Sequence, residues 1–344
     1  MSLKQFPMRF QMRKRTRYSL LLMLALMVAL VVALVLRKAA PPEAARLLPE
    51  SDAIVYANLK PLRAVTHFDR TQVTRNPDYQ HFIDATGVVP ERDLDAAAFA
   101  LHRMDDPNGP NGPVGYSEVF EGRFDGERLA HYLATIATAK ENYAGHDIYT
   151  IVVGDGKVTR PLRVVVVGYD TVAASNMPTT EQIHSILDRH RAAASPFSGS
   201  SLLSARYRDV PAFSSAWAIG HIGLPFSDRG YISVFGLQLP LPEDTTFVAS
   251  LRYLGALHLR VEEIAPTEAD AAQASATLTM LLGLVKSVQK TQMQMHPNAA
   301  SEAPFLEMMN SAKIEQHKDR AVLTANIPVD LVKKLTTPLP EGRP

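Results

Sequence analysis

A row of basic side chains in the second half of the chain has the residue types and the spacing to bind an anion. Residues 245–264 alternate apolar and polar residues around Gly255, which predicts a β-hairpin. The polar face of that hairpin carries Arg252, His258, Arg260 and Glu262. Arginine offers a forked set of donors that suits phosphate and carboxylate groups. The row therefore predicts an anion-binding surface, and a solvated sheet face with cross-strand ion pairs is the alternative.

Residues 223–241 form a second candidate contact surface. The segment is apolar but is interrupted by glycine and proline. Its large side chains could form an exposed hydrophobic lip for a protein partner or a lipid, and they include Phe226, Tyr231 and Phe235. The alternative is an irregular strand and loop that closes the core.

No set of residues in the sequence predicts catalysis. Ser287 and Lys290 match the S-x-x-K motif of penicillin-binding proteins, in which the serine begins a helix. Here the motif falls near the end of a long amphipathic helix predicted over residues 267–289, and no S-D-N or K-T-G companion is present. We therefore expect no catalytic residue and lean towards a non-enzymatic protein. Distant Ser, His and Asp residues could still assemble in the fold.

The sequence also predicts no metal and no cofactor. His184 and Asp188 lie one helical turn apart and could face one cation, but no third ligand joins them at a suitable spacing. The turn-rich loop of residues 104–115 lacks the ligand spacing and the late glutamate of a calcium loop. Glycine-rich nucleotide-binding motifs are absent.

The elements that would position these residues mix hairpins and helices rather than alternating strictly. This pattern predicts an α+β fold with a mainly antiparallel sheet, or sheets, and helices packed on one face. A connector rich in serine and glycine divides a first unit, residues 51–200, from a second unit, residues 201–340. Four consecutive valines at 164–167 predict a strand that is covered on both faces.

The amino-terminal segment predicts a membrane anchor. Six cations occur in residues 1–17, and an uninterrupted apolar run then extends from Leu20 to Leu36. As a helix this run covers about 26 Å, close to the ~30 Å hydrocarbon core of a bilayer. No clear small-x-small cleavage site follows it. The pattern favours a retained transmembrane helix over residues 18–38 rather than a cleaved signal.

The basic bias of the flanks predicts the orientation of this anchor. The tail, residues 1–17, should stay in the cytoplasm, which places the rest of the chain outside a bacterial inner membrane. Residues 39–50 are rich in alanine and proline and are expected to be a spacer. The lipid bilayer is thus the first expected partner, through the run from Leu20 to Leu36.

The charge balance argues against nucleic acid as a partner. The whole chain has a net charge of +1, but eight of its 36 Lys and Arg residues lie in residues 1–38. The remainder has 28 cations against 35 Asp and Glu residues, a formal charge of −7. The chain has no cysteine, so an exported domain depends on its core rather than on disulfides.

Three passages resemble a set of uncharacterised bacterial envelope proteins. They are residues 47–61 (LLPESDAIVYANLKP), residues 120–125 (FEGRFD) and residues 250–260 (SLRYLGALHLR). The resemblance implies a single-pass, membrane-anchored protein with a domain of unknown function, and it carries no assigned activity or site residue.

Together these patterns predict a membrane-tethered, extracytoplasmic binding or scaffold protein of the cell envelope, with an envelope protein as a candidate partner. One alternative is an extracytoplasmic hydrolase that acts on envelope material. The other is a small-ligand or lipid-binding module, which would have an enclosed apolar cavity.

Overall fold

The structure is a computed structural model of the chain. It describes Met23, Leu26 and Met27 and residues 40–70, 77–106, 109, 112–154, 159–192, 199–221, 231–234, 237–240, 245–253, 255–295 and 303–331. The side chains of residues 231–234, 237–240, 289–290, 292–295 and 303 lie outside this description. The chain divides into two compact units, Met1–Pro41 and Pro42–Pro344. The helices and strands that follow belong to the second unit.

The described helices are α1 (Glu43–Leu47), α2 (Leu59–Thr66), α3 (Pro77–Thr86), α4 (Pro90–Asp93), α5 (Gly126–Ile136), α6 (Glu181–Arg191), α7 (Ser201–Arg206), α8 (Glu268–Met295) and α9 (Ala303–Ser311). Short 3₁₀ turns occur at Phe68–Arg70 and Tyr207–Asp209. The strands are β1 (Ala53–Asn58), β2 (Leu94–Arg103), β3 (Val114–Gly122), β4 (Ala139–Tyr143), β5 (His146–Gly154), β6 (Thr159–Val166), β7 (Thr171–Ser175), β8 (Ala216–His221), β9 (Tyr231–Val234), β10 (Leu237–Pro240), β11 (Thr246–Tyr253), β12 (Leu257–Ile264), β13 (Lys313–His317) and β14 (Arg320–Ile327).

Twelve of these strands form one antiparallel sheet, which confirms the predicted α+β class. The strand order is β13-β14-β12-β11-β8-β1-β2-β3-β7-β6-β5-β4, and β9 pairs with β10 alone. Strands from the predicted first unit form one half of the sheet, and strands from the predicted second unit form the other. The pairing of β1 with β8 joins the two halves, and Tyr56 lies opposite Trp217 in that pair.

Helices cover both faces of the sheet, whereas the sequence pattern predicted one face. One core cluster packs α1, α6 and α7 against the face that carries Val165. The other cluster packs α3 and α5 against the face that carries Val164. Neighbouring residues of a strand point to opposite sides, so the run of valines supplies apolar contacts to both clusters. The prediction that this strand is covered on both faces is therefore confirmed.

The segment expected to be a spacer contributes to the core. Residues 43–47 form α1, and the side chains of Ala44, Ala45, Leu47 and Leu48 are at most 2% exposed. The Ala44 N–H also donates to Glu121 Oε1 at 2.7 Å. Small aliphatic residues next to proline are typical of a spacer, but here they fit closely against the sheet. The compact unit consequently begins at Pro42.

The hairpin of β11 and β12 has the predicted register. Tyr253 lies opposite Leu257, and Gly255 has a φ of +82°, in the left-handed region that favours glycine. The polar face of the hairpin lies on the same side of the sheet as the main core, since Val248 on that face belongs to the core cluster. This placement explains why Ser250 and Glu262 are each only 3% exposed.

Most of the predicted anchor lies outside the described residues. Of the run from Leu20 to Leu36, the structure describes Met23, Leu26 and Met27, which have helical backbone and exposed side chains. Among the described residues, the helix that is long and apolar enough to cross a membrane is Glu268–Val288 of α8, and only 11% of its most apolar window is buried. The anchor at the amino terminus stays a prediction.

Candidate functional site

The three basic residues singled out in the hairpin lie together in the fold. Arg252 of β11 is directly opposite His258 of β12, and Arg260 is opposite Ser250. Paired residues of an antiparallel sheet project to the same side, at Cβ separations of about 5 Å. Arg252, His258 and Arg260 therefore form a compact group on one face of two adjacent strands.

Two further strands extend this group into a cleft. His258 lies opposite Asn326 of β14, and Arg260 lies opposite Thr324. Thr324 in turn lies opposite Lys313 of β13. The resulting concavity, hereafter the basic cleft, has a volume of about 260 Å³ and is lined by Arg252, His258, Leu259, Arg260, Ser311, Lys313, Thr324, Ala325 and Asn326. The cleft thus offers three cations, an imidazole, two hydroxyls and an amide on one concave surface.

A buried charge network fixes one wall of the basic cleft. Arg260 Nε donates to Glu262 Oε1 at 2.6 Å, and Arg320 donates to Glu262 Oε2 at 2.9 Å. Arg320 also donates to Asp209 at 2.9 Å. Burial opposes the charge of Arg320, but its hydrogen bonds to Glu262 and Asp209 hold its pKa above the ordinary value. The network limits the rotamers of Arg260 and fixes its position in the wall.

Three basic side chains of the cleft have no partner among the described residues. Within the part of the chain that the structure describes, the side chains of Arg252, His258 and Lys313 form no hydrogen bond and no ion pair. A solvated face with cross-strand ion pairs would instead match each cation with a carboxylate. Of the cleft's cations, Arg260 has a carboxylate partner among the described residues, and that partner, Glu262, is on the same strand. An incoming anion would therefore find Arg252, His258 and Lys313 available as donors.

The second set of predicted contact residues does not join this cleft in the described structure. Phe226 and Phe235 lie outside the described residues. Tyr231 begins β9 and lies opposite Pro240 of β10, and its side chain is outside the description. The hydrophobic lip over residues 223–241 accordingly stays a prediction.

The S-x-x-K motif is not placed as a nucleophile site. Ser287 is exposed in the later part of α8, far from the amino-terminal turn where backbone N–H groups would point at a substrate. A different serine–histidine contact occurs in the first half of the sheet, where His102 Nε2 lies 3.1 Å from Ser117 Oγ, which lies 3.1 Å from Ser175 Oγ. Both serines are fully buried, so this chain of hydrogen bonds is out of reach of a substrate.

His184 and Asp188 are engaged with β4 rather than with a common ligand. His184 Nε2 lies 2.8 Å from Glu141 Oε1, and its ring stacks on Tyr143 with the ring centroids 3.7 Å apart. The Tyr143 hydroxyl donates to Asp188 at 3.0 Å. A shallow depression of about 540 Å³ runs beside them along α6. Among the described residues no group of three or more His, Asp or Glu side chains is placed to hold a metal ion.

Glu118 is an unusual group that the sequence did not indicate. It lies on β3 opposite Phe99 of β2 and Ala174 of β7, on the sheet face away from the basic cleft. Burial raises the pKa of Glu118 to about 7. In the sequence, Glu118 stands among the apolar residues of β3. Its residue type and its position do not distinguish it from a solvated glutamate.

Lys313, Thr324 and Asn326 are the cleft residues that sequence reasoning missed. The hairpin of β13 and β14 is a local element, but its pairing with β12 depends on a contact between segments more than 50 residues apart. The charge of Lys313 and the alternation of Thr324 and Asn326 were the available signals. Neither indicates which neighbouring strand these residues face.

Comparisons with known proteins leave the family open. No protein-family model matches the chain, and no curated protein is similar to it. The solved structures similar to it include crystal form III of TP0453, with a TM-score of 0.47 and 10% identity over 86% of this chain and 98% of that chain. Crystal form IV of TP0453 has a TM-score of 0.46 and 8% identity over 87% of this chain and 98% of that chain. These values are too low to support an argument about function.

Proposed function

We propose that this chain is a membrane-tethered binding protein of the bacterial cell envelope, anchored in the inner membrane through the run from Leu20 to Leu36. Its extracytoplasmic unit binds a phosphate-bearing ligand in the basic cleft. The observation that carries the proposal is the convergence of Arg252, His258 and Lys313, without partners among the described residues, in one concavity of about 260 Å³. The resemblance to envelope proteins noted in the sequence is consistent with it.

Phosphate suits this cleft better than a neutral ligand. A phosphate monoester has a charge of about −1.5 to −2 near neutral pH and three acceptor oxygens, which several cationic donors can share. The hydroxyl of Thr324 and the amide of Asn326 add neutral donors on the same surface. The cleft is smaller than typical drug-sized pockets, so it fits a phosphate and its immediate substituent rather than a large molecule.

The local charge also supports an anionic ligand. The chain beyond residue 38 has a formal charge of −7, yet the residues of the cleft include three cations and no acid. Glu262 beneath them is already matched by Arg260 and Arg320. A positive concavity on a negative surface concentrates the field at one place and favours one anionic group over extended polyanions such as nucleic acid.

Binding accounts for the described residues better than hydrolysis does. The rival envelope hydrolase requires a free nucleophile at a pocket. Ser117 and Ser175 are fully buried, and the hydroxyl of Ser311 in the basic cleft already donates to the Met308 carbonyl. The other rival, a lipid-binding module, requires an enclosed apolar cavity. The apolar crevice between α2 and the ends of β8, β11 and β12 has a volume of only about 50 Å³.

Thermal unfolding of the full chain in zwitterionic nanodiscs tests the cleft. Ligand that binds the native state alone raises the melting temperature as its concentration rises. Inorganic phosphate and glycerol phosphate should each give such a rise relative to chloride at the same ionic strength. The Arg252→Gln variant should lose most of the rise, whereas Arg191→Gln, at an exposed arginine at the end of α6, should keep it.

Two versions of this experiment distinguish a lipid headgroup from a soluble ligand as the source of the phosphate. Nanodiscs that contain phosphatidylglycerol report lipid headgroups, and soluble phosphate in nanodiscs without anionic lipid reports a free ligand. A rise of equal size in wild type and Arg252→Gln with soluble phosphate would contradict the proposal. With phosphatidylglycerol, only the part of the rise that Arg252→Gln removes is assigned to the cleft.

The tether has its own test. Protease added to intact spheroplasts should remove the carboxy-terminal bulk of the chain, because the positive-inside rule places it outside. A protected chain, or a mature chain that begins beyond residue 38, would contradict the anchor and leave the cleft experiment unaffected.

A protein partner at residues 223–241 is a separate part of the proposal. The segment carries Phe226, Tyr231 and Phe235, which are residue types enriched in interface cores. Affinity purification of the intact tethered chain, followed by mass spectrometry, should recover an envelope protein that a chain lacking residues 223–241 does not. Recovery of every partner by the shortened chain would contradict a role for the segment.

A further inference from the structure

The outward side of α8 has the composition of a membrane-facing helix rather than of a solvated one. Met280, Leu284 and Val288 are spaced by four residues, and they are 68%, 47% and 49% exposed. Their neighbours on the same side are uncharged as well: Gln273, Ala276 and Ser287. A surface helix of a soluble protein usually presents charged residues on this side. We call Met280, Leu284 and Val288 the α8 stripe.

The opposite side of α8 is held firmly on the sheet. Ala271 is fully buried and Ser275 is 9% exposed. Gln316 of β13 donates to the Glu268 carbonyl at 3.0 Å, and Lys286 Nζ donates to the Ala312 carbonyl at 3.0 Å. These bonds attach both ends of the apolar stretch to the folded unit. The helix can therefore lie on a membrane surface but is not free to cross it.

The length of chain before the unit keeps a bilayer close to this surface. If the run from Leu20 to Leu36 spans the membrane, only six residues separate its end from Glu43, where α1 begins. Six extended residues reach at most about 20 Å. The folded unit is then confined to the membrane surface, so even a weakly apolar face meets lipid at a high effective concentration.

We propose that the α8 stripe lies in the interface of the bilayer that holds the amino-terminal anchor, with Met280, Leu284 and Val288 inserted among the lipid chains. The proposal rests on the tether proposed above. Interfacial helices need an apolar side that enters the boundary of headgroups and acyl chains, and their cations favour anionic lipid. No acid follows Asp270 within α8, so this part of the helix does not repel anionic headgroups.

This arrangement leaves the basic cleft accessible. Gln316, which contacts the start of α8, alternates along β13 with Lys313 and Glu315. Alternate residues of a strand point to opposite faces, so α8 begins on the side of the sheet away from the cleft. The membrane contact and the phosphate site would not compete, and the cleft would open away from the bilayer.

The absence of cysteine in the chain allows a direct test. Single cysteines replace stripe residues in the full chain, as Leu284→Cys and Val288→Cys, and each carries an environment-sensitive fluorophore. Tyr169→Cys, at a residue that is 94% exposed between β6 and β7, is the matched control. The proteins are reconstituted in vesicles of phosphatidylethanolamine with a minority of phosphatidylglycerol, with and without nitroxide-labelled lipid.

Stripe labels should shift to shorter wavelength, and nitroxide lipid should quench them several-fold more strongly than the label at residue 169. The Met280→Glu/Leu284→Glu variant should abolish this quenching at a Val288→Cys label, while the chain still floats with the vesicles. Both substitutions are at exposed positions, so the fold should be kept.

Three results would overturn the inference. Stripe labels as solvated as the control label would contradict it. So would stripe labels that are shielded from water without lipid quenching and that quench one another, since this would indicate a second copy of the chain as the occupant. Quenching that survives the double glutamate substitution would also contradict it. Flotation separates this outcome from the tether, since a chain that floats with solvated stripe labels contradicts the stripe alone.

Discussion

The two halves of the sheet differ in how completely they are covered. In the half built from β1 to β7, helices pack on both faces, and polar side chains inside it satisfy one another, as His102, Ser117 and Ser175 do. In the half built from β8 and β11 to β14, one face opens into the basic cleft and the outward side of α8 is apolar and exposed. The closed half provides stability, and the open half carries the candidate contacts.

The largest expected effect is the loss of stability when a core residue of the closed half is truncated. Ile186 of α6 is fully buried, so Ile186→Ala should lower the free energy of unfolding by about 4 kcal/mol through lost burial and the cavity it leaves. Leu284→Ala in the α8 stripe should change it by less than about 0.5 kcal/mol in detergent. Denaturant unfolding followed by circular dichroism measures both. Equal losses would remove the distinction between the halves.

A smaller loss of stability is expected in the open half when its buried carboxylate is removed. Glu262→Gln removes the carboxylate that Arg260 and Arg320 share. We expect a loss of about 2 kcal/mol, because both guanidiniums are partly exposed and Arg320 keeps Asp209. Glu315→Gln is the control, since Glu315 is 62% exposed and its pairing with His317 should contribute almost nothing. A neutral Glu262→Gln would show that the network does not hold the wall of the cleft.

Glu118 gives the closed half a distinct pH dependence. Burial raises its pKa from 4.5 to about 7, so the native state keeps a proton that the unfolded chain releases. The stability contributed by this group is therefore present below pH ~4.5 and is lost as pH rises to about 7. Glu118→Gln should be more stable than wild type by about 2 kcal/mol at pH 8 and equal to it at pH 4.

Urea unfolding at a series of pH values measures this difference. Glu127→Gln, at an exposed glutamate in the first turn of α5, is the control and should show no such trend. A gap between Glu118→Gln and wild type that does not change with pH would mean that Glu118 is solvated in the native state.

Local patterns in the sequence were sufficient to predict individual elements of secondary structure. The alternation of residues 245–264 and the glycine at 255 predicted the hairpin, its register and the shared face of Arg252, His258 and Arg260, all of which are confirmed. Aspartate favours the N-cap position of a helix, and the side chain of Asp125 accepts from the Arg128 N–H at 3.1 Å at the start of α5. These features depend on residues within one or two turns of each other.

Long-range features were not predictable in the same way. The pairing of β12 with β14, which brings Asn326 to His258, depends on which strands become neighbours in the sheet. The buried α1 looks like a spacer because alanine is equally common in linkers and in tight helix packing. The second layer of helices, α3 and α5, follows from apolar residues at both parities of β5 to β7, a signal that only the four valines displayed clearly.

The most direct test of the central claim is calorimetric titration of the full chain with inorganic phosphate at constant ionic strength. The account predicts saturable binding that the Arg252→Gln/Lys313→Gln variant weakens by about 100-fold, since each lost charge-assisted hydrogen bond is worth roughly 1.5 kcal/mol. Arg191→Gln should bind as wild type does. Unchanged affinity in the double variant, or an equal loss in Arg191→Gln, would contradict the assignment of the basic cleft as a phosphate site.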